Sequence, residues 1–513
     1  MSQPAGPSAH PPPLPPGLQR NMVLVTALMV SVMATVDMTI VSVALPYMAG
    51  NLGASPDEIT WVVTMFTCGQ ALIIGVTGHL SRLLGRRRLA IVVIIGFVLS
   101  SMACGLAQSL TQIVIFRFVQ GIFSGPLIPL SQSMLVDAYR PEERSKALSI
   151  WAMGVLGGPA LGPIIGGYLA QNLDWRWNFW VNLPVGAIAL MLILAFVRPV
   201  AAQRVRTDLV GLLLLAVWVI SLQVMLDQGD ILNWFDTAEI WVLTLLAITF
   251  ALAFLLRGLE VGDANIMRLR LFGDLNFSVC AVLVALLGSI FLGSLIITPQ
   301  LLIDYYQWEV ITAGMVMGAG GLFGILGSLI GGHLVSLLGI RLMIVLGSAC
   351  MAFGWFRYSG LNPYAGPVEA FIPGALVMFG LMLVFPLLAA QAFQNLRPDE
   401  RDEGAGLFNF VKTLGFSFGV TFVGTMIYRG SQANWSRYVG DLSWSNPAFG
   451  PFIDAAPLSG DVTLAAAVMA DELARQSGIL AITQLAQILM VLALMAMPLG
   501  LLLKPKRPAV AHR

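Results

Sequence analysis

The sequence predicts an all-α integral membrane protein with 14 transmembrane helices, arranged as six plus two plus six. Three observations predict this fold class: the composition, the number of long apolar segments, and a loop motif that occurs twice. Of the 513 residues, 57% are hydrophobic and only 11% are charged. A water-soluble protein of this length needs more charge on its surface, so lipid must surround much of the chain.

A helix needs roughly 20 apolar residues to cross a bilayer. Fourteen segments of the sequence are apolar and have about this length. They are 22–46, 59–80, 89–107, 111–137, 146–170, 177–197, 208–226, 239–257, 275–303, 311–336, 342–360, 368–394, 404–429 and 480–503. Of the 28 Lys and Arg residues, 21 lie in the tails and in the even-to-odd connections, and five in the odd-to-even connections. Because basic loops stay in the cytoplasm, both termini are predicted to be cytoplasmic.

The loop motif Gly78-His-Leu-Ser-Arg-Leu-Leu-Gly-Arg-Arg87 returns as Gly332-His-Leu-Val-Ser-Leu-Leu-Gly-Ile-Arg341, with seven identical positions. The first copy joins spans two and three, and the second joins spans ten and eleven. An offset of eight helices places two additional spans between two related halves. Parallel halves of this kind are typical of transporters whose substrate path runs between them.

The predicted domain organisation follows from this offset. It consists of a disordered cytoplasmic tail 1–20, a six-helix bundle 21–198, two inserted helices 199–260, a second six-helix bundle 261–504, and a cytoplasmic tail 505–513. The second bundle includes a long outer connection, 430–479, in which Val462 to Ser477 has a helical apolar pattern. Two interpretations of this connection remain open: a docking surface for a partner, or a structured cap over its own helices.

Several function classes are disfavoured by the residues present. The net charge is +1, which argues against nucleic acid, and none of the four lysines follows a Gly-rich phosphate loop. The cysteines lie in apolar segments without metal spacing, and the four histidines offer no zinc site. No nucleophile–base arrangement indicates an enzyme. We therefore expect no catalytic residues, no metal and no cofactor.

Asp37 is the only acid deep within the spans of the first half. An ionised carboxylate in a bilayer is costly, so it should face the bundle interior or water and have a partner. Counted along their helices, Asp37 on span one and Arg117 on span four lie at similar depth, in the outer half of the membrane. Burial favours the neutral carboxyl and a guanidinium favours the charged one, so the pair is a candidate proton switch. The alternative is a static structural pair.

Span five carries Gly154, Gly158, Gly162 and Gly166 at four-residue spacing, with Pro159 and Pro163 beside two of them. Small residues at this spacing allow a neighbouring helix to pack closely, and proline permits bending. This pattern predicts either ordinary packing or a hinge or seal between the halves.

In the loop motif, Gly78 belongs to the repeated pattern, while Gly85 and Gly339 permit a tight turn. Arg86 to Arg88 anchor the first copy at the cytoplasmic face, where it could latch one helix end against another or simply set the topology.

Polar and aromatic residues inside other spans suit a roomy amphipathic cavity, although each one alone is more commonly core. The candidates for the substrate cavity are Trp61, Phe66, Gln70, Gln132, Trp151, Gln300, Gln391 and Asn409. Aromatic side chains in such a cavity would favour organic cations.

These motifs resemble the fourteen-span drug–proton antiporters of the major facilitator superfamily, most closely the EmrB type. The similar segments are Asp37 to Pro46, Gly78 to Arg88, Arg117-Phe-Val-Gln-Gly121, Gly125 to Ser133, Gly154 to Gly167 and Trp175 to Pro184. The resemblance implies the fold of that superfamily, a role of Arg117 in proton transfer, and an antiporter motif in span five. One departure is that Arg82, and Ser336 in the second copy, stand where the loop motif usually has an acid.

The resemblance also implies an inner-membrane component of a tripartite pump, working with a periplasmic membrane-fusion adaptor (EmrA-like) and a TolC-like outer-membrane channel. The function expected is proton-coupled efflux of amphipathic or hydrophobic toxic compounds. An exporter of one physiological compound, such as a siderophore, lipid or amino acid, is the first alternative, and a membrane sensor without flux is the second.

Overall fold

The computed structural model describes residues 14–140, 143–200, 202, 207–262, 265–362, 365–397, 400–441 and 462–504. Within these residues every regular element is helical. The first half contains α1 to α10, the insertion contains α11 and α12, and the second half contains α13 to α17.

The helices of the first half and the insertion follow the predicted spans closely. They are α1 Leu18–Ile40, α2 Leu45–Leu52, α3 Pro56–Ile59, α4 Trp61–Leu84, α5 Arg86–Gly105, α6 Leu110–Ser124, α7 Leu127–Ala138, α8 Arg144–Asn172, α9 Trp177–Trp180, α10 Asn182–Phe196, α11 Leu209–Gln228 and α12 Ala238–Val261. Helix α1 begins inside the predicted tail 1–20, and residues 1–13 of that tail lie outside the described part of the chain.

The second half contains longer helices. They are α13 Leu275–Pro299, continued by a π-helical turn Gln300–Tyr305, then α14 Val310–Ser359, α15 Pro367–Ala392, α16 Arg401–Tyr438 and α17 Val462–Leu501. Helix α14 contains a sharp bend at Gly339, where φ is 75° and ψ is 158°. Gly85 has a similar φ of 80° between α4 and α5, so both loop copies use glycine in a conformation that other residues rarely adopt.

Among the described residues, 12 helical stretches are long and apolar enough to cross a membrane. One of them, Thr312–Ser359, includes the bend at Gly339 and therefore two predicted segments. The 29-residue α8, which is not among the 12, corresponds to the remaining predicted segment. Each predicted segment thus has a helix, while the criterion of length and hydropathy alone gives 12.

Helices extend into the outer connection 430–479 from both of its ends. Helix α16 continues to Tyr438 and α17 begins at Val462, where the helical pattern was predicted. Helices of 38 and 40 residues are about 60 Å long, roughly twice the thickness of the hydrocarbon core. Asn434 Nδ2 donates to the Ser477 carbonyl at 3.3 Å, which joins their projecting parts. Residues 442–461 of the predicted docking surface lie outside the described residues.

The first and last helices of the described chain have their outer ends, near Arg20 and Lys504, at the end of the molecule that carries Gly85 and Gly339, here called the motif end. Arg20, near the start of α1, pairs with Glu143 at 2.9 Å. The Lys504 backbone N–H, after α17, donates to Asn276 Oδ1 at 2.8 Å.

The two halves meet at the motif end. Gly78 on α4 lies so close to α16 that a Cβ added there would be 2.3 Å from the Glu403 Cα. Ser328 Oγ on α14 donates to the Ser149 carbonyl on α8 at 3.0 Å. The inserted helix α11 lies between α4 and α16, because its Asp227 accepts from Thr67 at 3.3 Å and its Gln223 accepts from Ser417 at 2.8 Å.

Candidate proton site and central cavity

Asp37 and Arg117 form an ion pair inside the first half. Arg117 Nη1 lies 3.0 Å from Asp37 Oδ2, and both side chains are fully buried. Asp37 is near the end of α1, and Arg117 is in the middle of α6. The sequence places Asp37 and Arg117 at similar depth in the membrane, and the structure shows that they are in contact. Asp37 faces the bundle interior.

Neutral polar side chains complete the surroundings of the carboxylate. Gln120 Nε2 donates to Asp37 Oδ1 at 3.0 Å, and Asn182 Nδ2 donates to the same oxygen at 2.6 Å. Asn182 also donates to Ser101 Oγ at 3.0 Å, which connects α1, α5, α6 and α10 in one network. Together with Arg117, these donors give both oxygens of the Asp37 carboxyl hydrogen-bond partners, as a buried polar group requires.

The guanidinium of Arg117 is held on several sides. Its Nε donates to the Val62 carbonyl at 3.2 Å, and its Nη1 also donates to Gln120 Oε1 at 2.9 Å. Its Cζ lies 3.9 Å from the centre of the Phe66 ring. Removing one partner of such a buried pair leaves an uncompensated charge and costs about 3–5 kcal/mol. The Asp37–Arg117 pair is therefore costly to break.

The glycine stripe of α8 packs against the part of α1 that carries Asp37. A Cβ on Gly158 would meet Thr35 Oγ1 at 2.1 Å, and a Cβ on Gly162 would meet Thr39 Oγ1 at 2.0 Å. Gly154 lies against Leu28 and Val32 of the same helix. The stripe therefore does not seal one half against the other, because its contacts are within the first half. Its role as a hinge stays a prediction, and the side chain of Pro159 lies outside the described residues.

At the motif end, a buried network of charges joins the halves. Its members, here called the latch cluster, are Ser81, Arg82, Arg86, Asp137, Arg268, Arg401, Asp402 and Glu403. Arg86 on α5 pairs with Asp137 on α7 and with Asp402 on α16. Arg82 pairs with Glu403, which also lies 2.7 Å from Arg268 Nε. Although position 82 has no acid, the residues at the motif end still form ion pairs, because Asp402 and Glu403 of α16 supply the acids.

A narrow cavity lies between the halves, next to the latch cluster. It is lined by Gln132, Trp151, Ala152, Val155, Phe385, Pro386, Ala389, Phe408 and Lys412. Asn409 Nδ2 donates to Gln132 Oε1 across the seam at 2.6 Å. Trp151 Nε1 donates to Ser31 Oγ on α1 at 2.7 Å. Gln132, Trp151 and Asn409 are thus brought together.

The other predicted cavity residues lie elsewhere. Phe66 packs under Arg117, and Gln70 Nε2 donates to Ser124 Oγ at 3.3 Å inside the first half. Gln391 lies at the motif end, where its Nε2 is 3.4 Å from the Lys504 carbonyl. Trp61 begins α4 and Gln300 begins the π-helical turn, both at the opposite end. These five residues do not line the cavity between the halves in this structure, and their contact with substrate stays a prediction. A side chain's polarity does not reveal which face of its helix it occupies.

Several residues of the site were not singled out from the sequence. Gln120 and Asn182 lie inside motifs quoted above, and a polar side chain in an apolar span was the available signal. Asp402 and Glu403 just precede a span, so they resemble ordinary solvated charges in the sequence. Lys412 was the one lysine away from the ends of a predicted span. Asp227, at the end of α11, is half-buried and accepts from Gln223 Nε2 at 2.9 Å.

Comparison with known proteins identifies the family of this chain. The model of the Major Facilitator Superfamily matches residues 27–420. The chain belongs to the Major Facilitator Superfamily. It is 35% identical over 417 residues to "Multidrug export protein EmrB" of Escherichia coli (strain K12), covering 80% of each chain. It is 33% identical over 409 residues to "Fatty acid resistance protein FarB" of Neisseria gonorrhoeae, covering 79% of this chain and 80% of that protein. Within the superfamily it therefore belongs to the EmrB-type transporters.

A solved structure shares the fold of this superfamily member. The human organic anion transporter MFSD10 aligns with a TM-score of 0.56, over 94% of this chain and 100% of that chain. Its sequence identity is 15%, so the likeness concerns the fold alone.

Proposed function

We propose that this chain is a proton-coupled multidrug efflux transporter that exports amphipathic or hydrophobic compounds across a bacterial inner membrane, with both termini in the cytoplasm. The observation that carries the proposal is the fully buried Asp37–Arg117 pair within a transporter fold. A proton gradient drives the cycle, and neither a cofactor nor a chemical conversion of the substrate takes part. An ionisable pair in a membrane interior is a functional site by default, because its cost is high.

Protonation of Asp37 would act on the cavity through α1. A neutral carboxyl holds Arg117 less strongly, so α1 and α6 are released from one another. Helix α1 also packs on the glycine stripe of α8, and its Ser31 accepts from Trp151 in the cavity wall. A shift of α1 therefore moves a residue that lines the path of the substrate. Alternating access follows when the halves separate at the motif end and close at the other.

The energy available is adequate for efflux. One charge crossing about 100 mV supplies roughly 2.3 kcal/mol. At about 1.4 kcal/mol for each factor of ten, this sustains a gradient of about fiftyfold for a neutral substrate.

We further propose an adaptor of the membrane-fusion type and a TolC-like channel as partners. The projecting parts of α16 and α17 support this proposal, since they extend well beyond the thickness of the membrane core. Arg475 on α17 donates to the Tyr305 carbonyl at 3.2 Å, which braces the projection on the second half. Crosslinking from positions 430–438 to a co-expressed adaptor tests this partner.

Transport in proteoliposomes tests the function. An imposed pH gradient, acidic on the outer side, should drive ethidium and other chemically varied dyes out of the compartment that represents the cytoplasm. Collapse of the gradient with an uncoupler should stop this flux. Movement of one native compound and of no dye would favour an exporter of a single physiological substrate, such as the fatty acids in the name of FarB. A complete lack of flux would favour the second alternative, a membrane sensor that transports nothing.

A further inference from the structure

Another ionisable side chain, Lys412, is buried at the cavity between the halves, and no acid in the described part of the chain forms an ion pair with it. Lys412 is on α16, and only 4% of it is exposed. Its Nζ donates to Asn409 Oδ1 at 2.5 Å. The Phe416 ring centre lies 5.7 Å from Nζ, within the range of a cation–π contact. Both partners are neutral.

The nearest acids along α16 are already engaged. Asp402 and Glu403 precede Lys412 in the same helix by between two and three turns, roughly 14–15 Å along its axis. Both pair with arginines of the latch cluster. Lys412 forms no ion pair among the described residues. A buried cation without a counter-charge is expensive, and such groups are retained where they bind something.

The position of Lys412 shows what it can reach. The cavity that it lines has walls from both halves, with Gln132 and Trp151 on one side and Phe385 and Phe408 on the other. The cavity is narrow in this state because the latch cluster holds the motif end closed. When the halves separate, Lys412 faces the opening between aromatic and aliphatic side chains. An apolar wall with one cation matches a molecule with an apolar body and one negative charge.

We propose that Lys412 binds the anionic group of amphipathic acids, so that this transporter prefers organic anions to organic cations. This inference rests on the proposed transport function and names its substrate class. Asn409, held by Gln132 at 2.6 Å, orients the ammonium group toward the cavity. The expectation from the aromatic residues alone, a preference for organic cations, is reversed by this one lysine.

Two permanently charged pyrene probes test the preference, because they share one apolar body and cannot change protonation. The probes are 1-pyrenesulfonate and (1-pyrenylmethyl)trimethylammonium. Their binding to the full chain is followed by energy transfer from tryptophan, and their uptake is followed in proteoliposomes with the membrane potential clamped. We expect the wild type to bind and transport the sulfonate better. Lys412→Gln should weaken sulfonate binding by about tenfold or more, the loss of one charge-assisted hydrogen bond, and should not weaken ammonium binding.

Two further variants serve as controls for Lys412→Gln. Lys412→Arg keeps the charge and should keep the preference for the sulfonate, even if its affinity falls. Lys504→Gln removes an exposed lysine at the end of α17 and should change nothing. If Lys412→Gln fails to fold, the comparison of Lys412→Arg with the wild type still measures the preference for the anion.

The outcomes separate this inference from the proposed function. Gradient-driven transport of both probes with equal affinity, unchanged by Lys412→Gln, overturns the anion site and leaves proton-coupled export intact. Equal loss of both probes in Lys412→Gln also overturns it, since the lysine then serves the protein and not the ligand. A wild type that moves neither probe nor any dye under the gradient contradicts the proposed function itself.

Discussion

The two copies of the loop motif have nearly the same sequence and opposite environments. The first copy, at 78–87, is buried against the second half, and the latch cluster surrounds it. The second copy, at 332–341, forms hydrogen bonds within its own half: His333 Nδ1 lies 2.8 Å from the Leu329 carbonyl, and Arg341 Nε donates to the Leu503 carbonyl at 2.6 Å. Only three positions differ between the copies: Ser81, Arg82 and Arg86 are replaced by Val335, Ser336 and Ile340.

These three positions are the ones that bind the other half. Ser81 and Arg86 contact Asp402, Arg86 also contacts Asp137, and Arg82 contacts Glu403. The seven shared positions include the glycine of the turn, which has a φ of 80° in one copy and 75° in the other. The repeat therefore supplies a common turn, while the differences between its copies supply the latch.

The largest effect is expected when Arg86 in the first copy is replaced by isoleucine, the residue at the equivalent position of the second copy. Arg86→Ile removes the cation that pairs with Asp402 in a buried site and leaves Asp137 paired with Arg401, at a cost of about 3–5 kcal/mol to the closed motif end. That cost should shift the population from closed to open by more than about 100-fold. Spin-label distances between α5 and α16 measure the shift. The matched variant Ile340→Arg should leave these distances unchanged; an equal opening in both variants would contradict the asymmetry of the copies.

A charge exchange sharpens the role of Arg82. Arg82→Glu places an acid beside Glu403 and should open the motif end, although Arg268 remains 2.7 Å from Glu403. Adding Glu403→Arg restores the Arg82–Glu403 attraction in reverse, at the expense of the contact with Arg268. We expect partial recovery, with a coupling free energy of about 0.5–3 kcal/mol in the double-mutant cycle. Strictly additive effects would show that the two side chains do not act on each other.

A smaller effect is expected from the first glycine of each copy. A Cβ at Gly78 would lie 2.3 Å from the Glu403 backbone, whereas a Cβ at Gly332 would lie 3.0 Å from the movable Ser149 hydroxyl. Gly78→Ala should therefore destabilise the closed state by about 1–3 kcal/mol, as overpacking does. Gly332→Ala should have a much smaller effect on the thermal unfolding midpoint in detergent. A larger effect at Gly332 would mean that the second copy, too, is a tight contact between the halves.

The sequence predicted the fold better than it predicted the site. Hydropathy locates the helices because burial in lipid requires long apolar runs, and it fails only at their ends, as in α16 and α17. Asp37 and Arg117 could be paired because each is a rare charge at a known depth. A latch was one of two interpretations of the loop motif, but its partners could not be predicted, since Asp402 lies outside the apolar run and contacts residues of the other half of the chain. The sequence could not place Phe66 under Arg117, because the rotation of a helix decides which neighbours a side chain contacts.

The account depends most on Asp37 as the group that carries the proton, and the half-buried carboxylate of Asp227 offers a control. Asp37→Asn and Asp227→Asn each replace a carboxylate by an amide of the same shape, in helices that belong to different parts of the chain. Proton flux and dye flux are measured together in proteoliposomes under an imposed pH gradient, after equal insertion has been verified. We predict that Asp37→Asn abolishes both fluxes, and that Asp227→Asn retains both. Gradient-driven dye transport by Asp37→Asn at the wild-type rate would contradict the proposed proton switch.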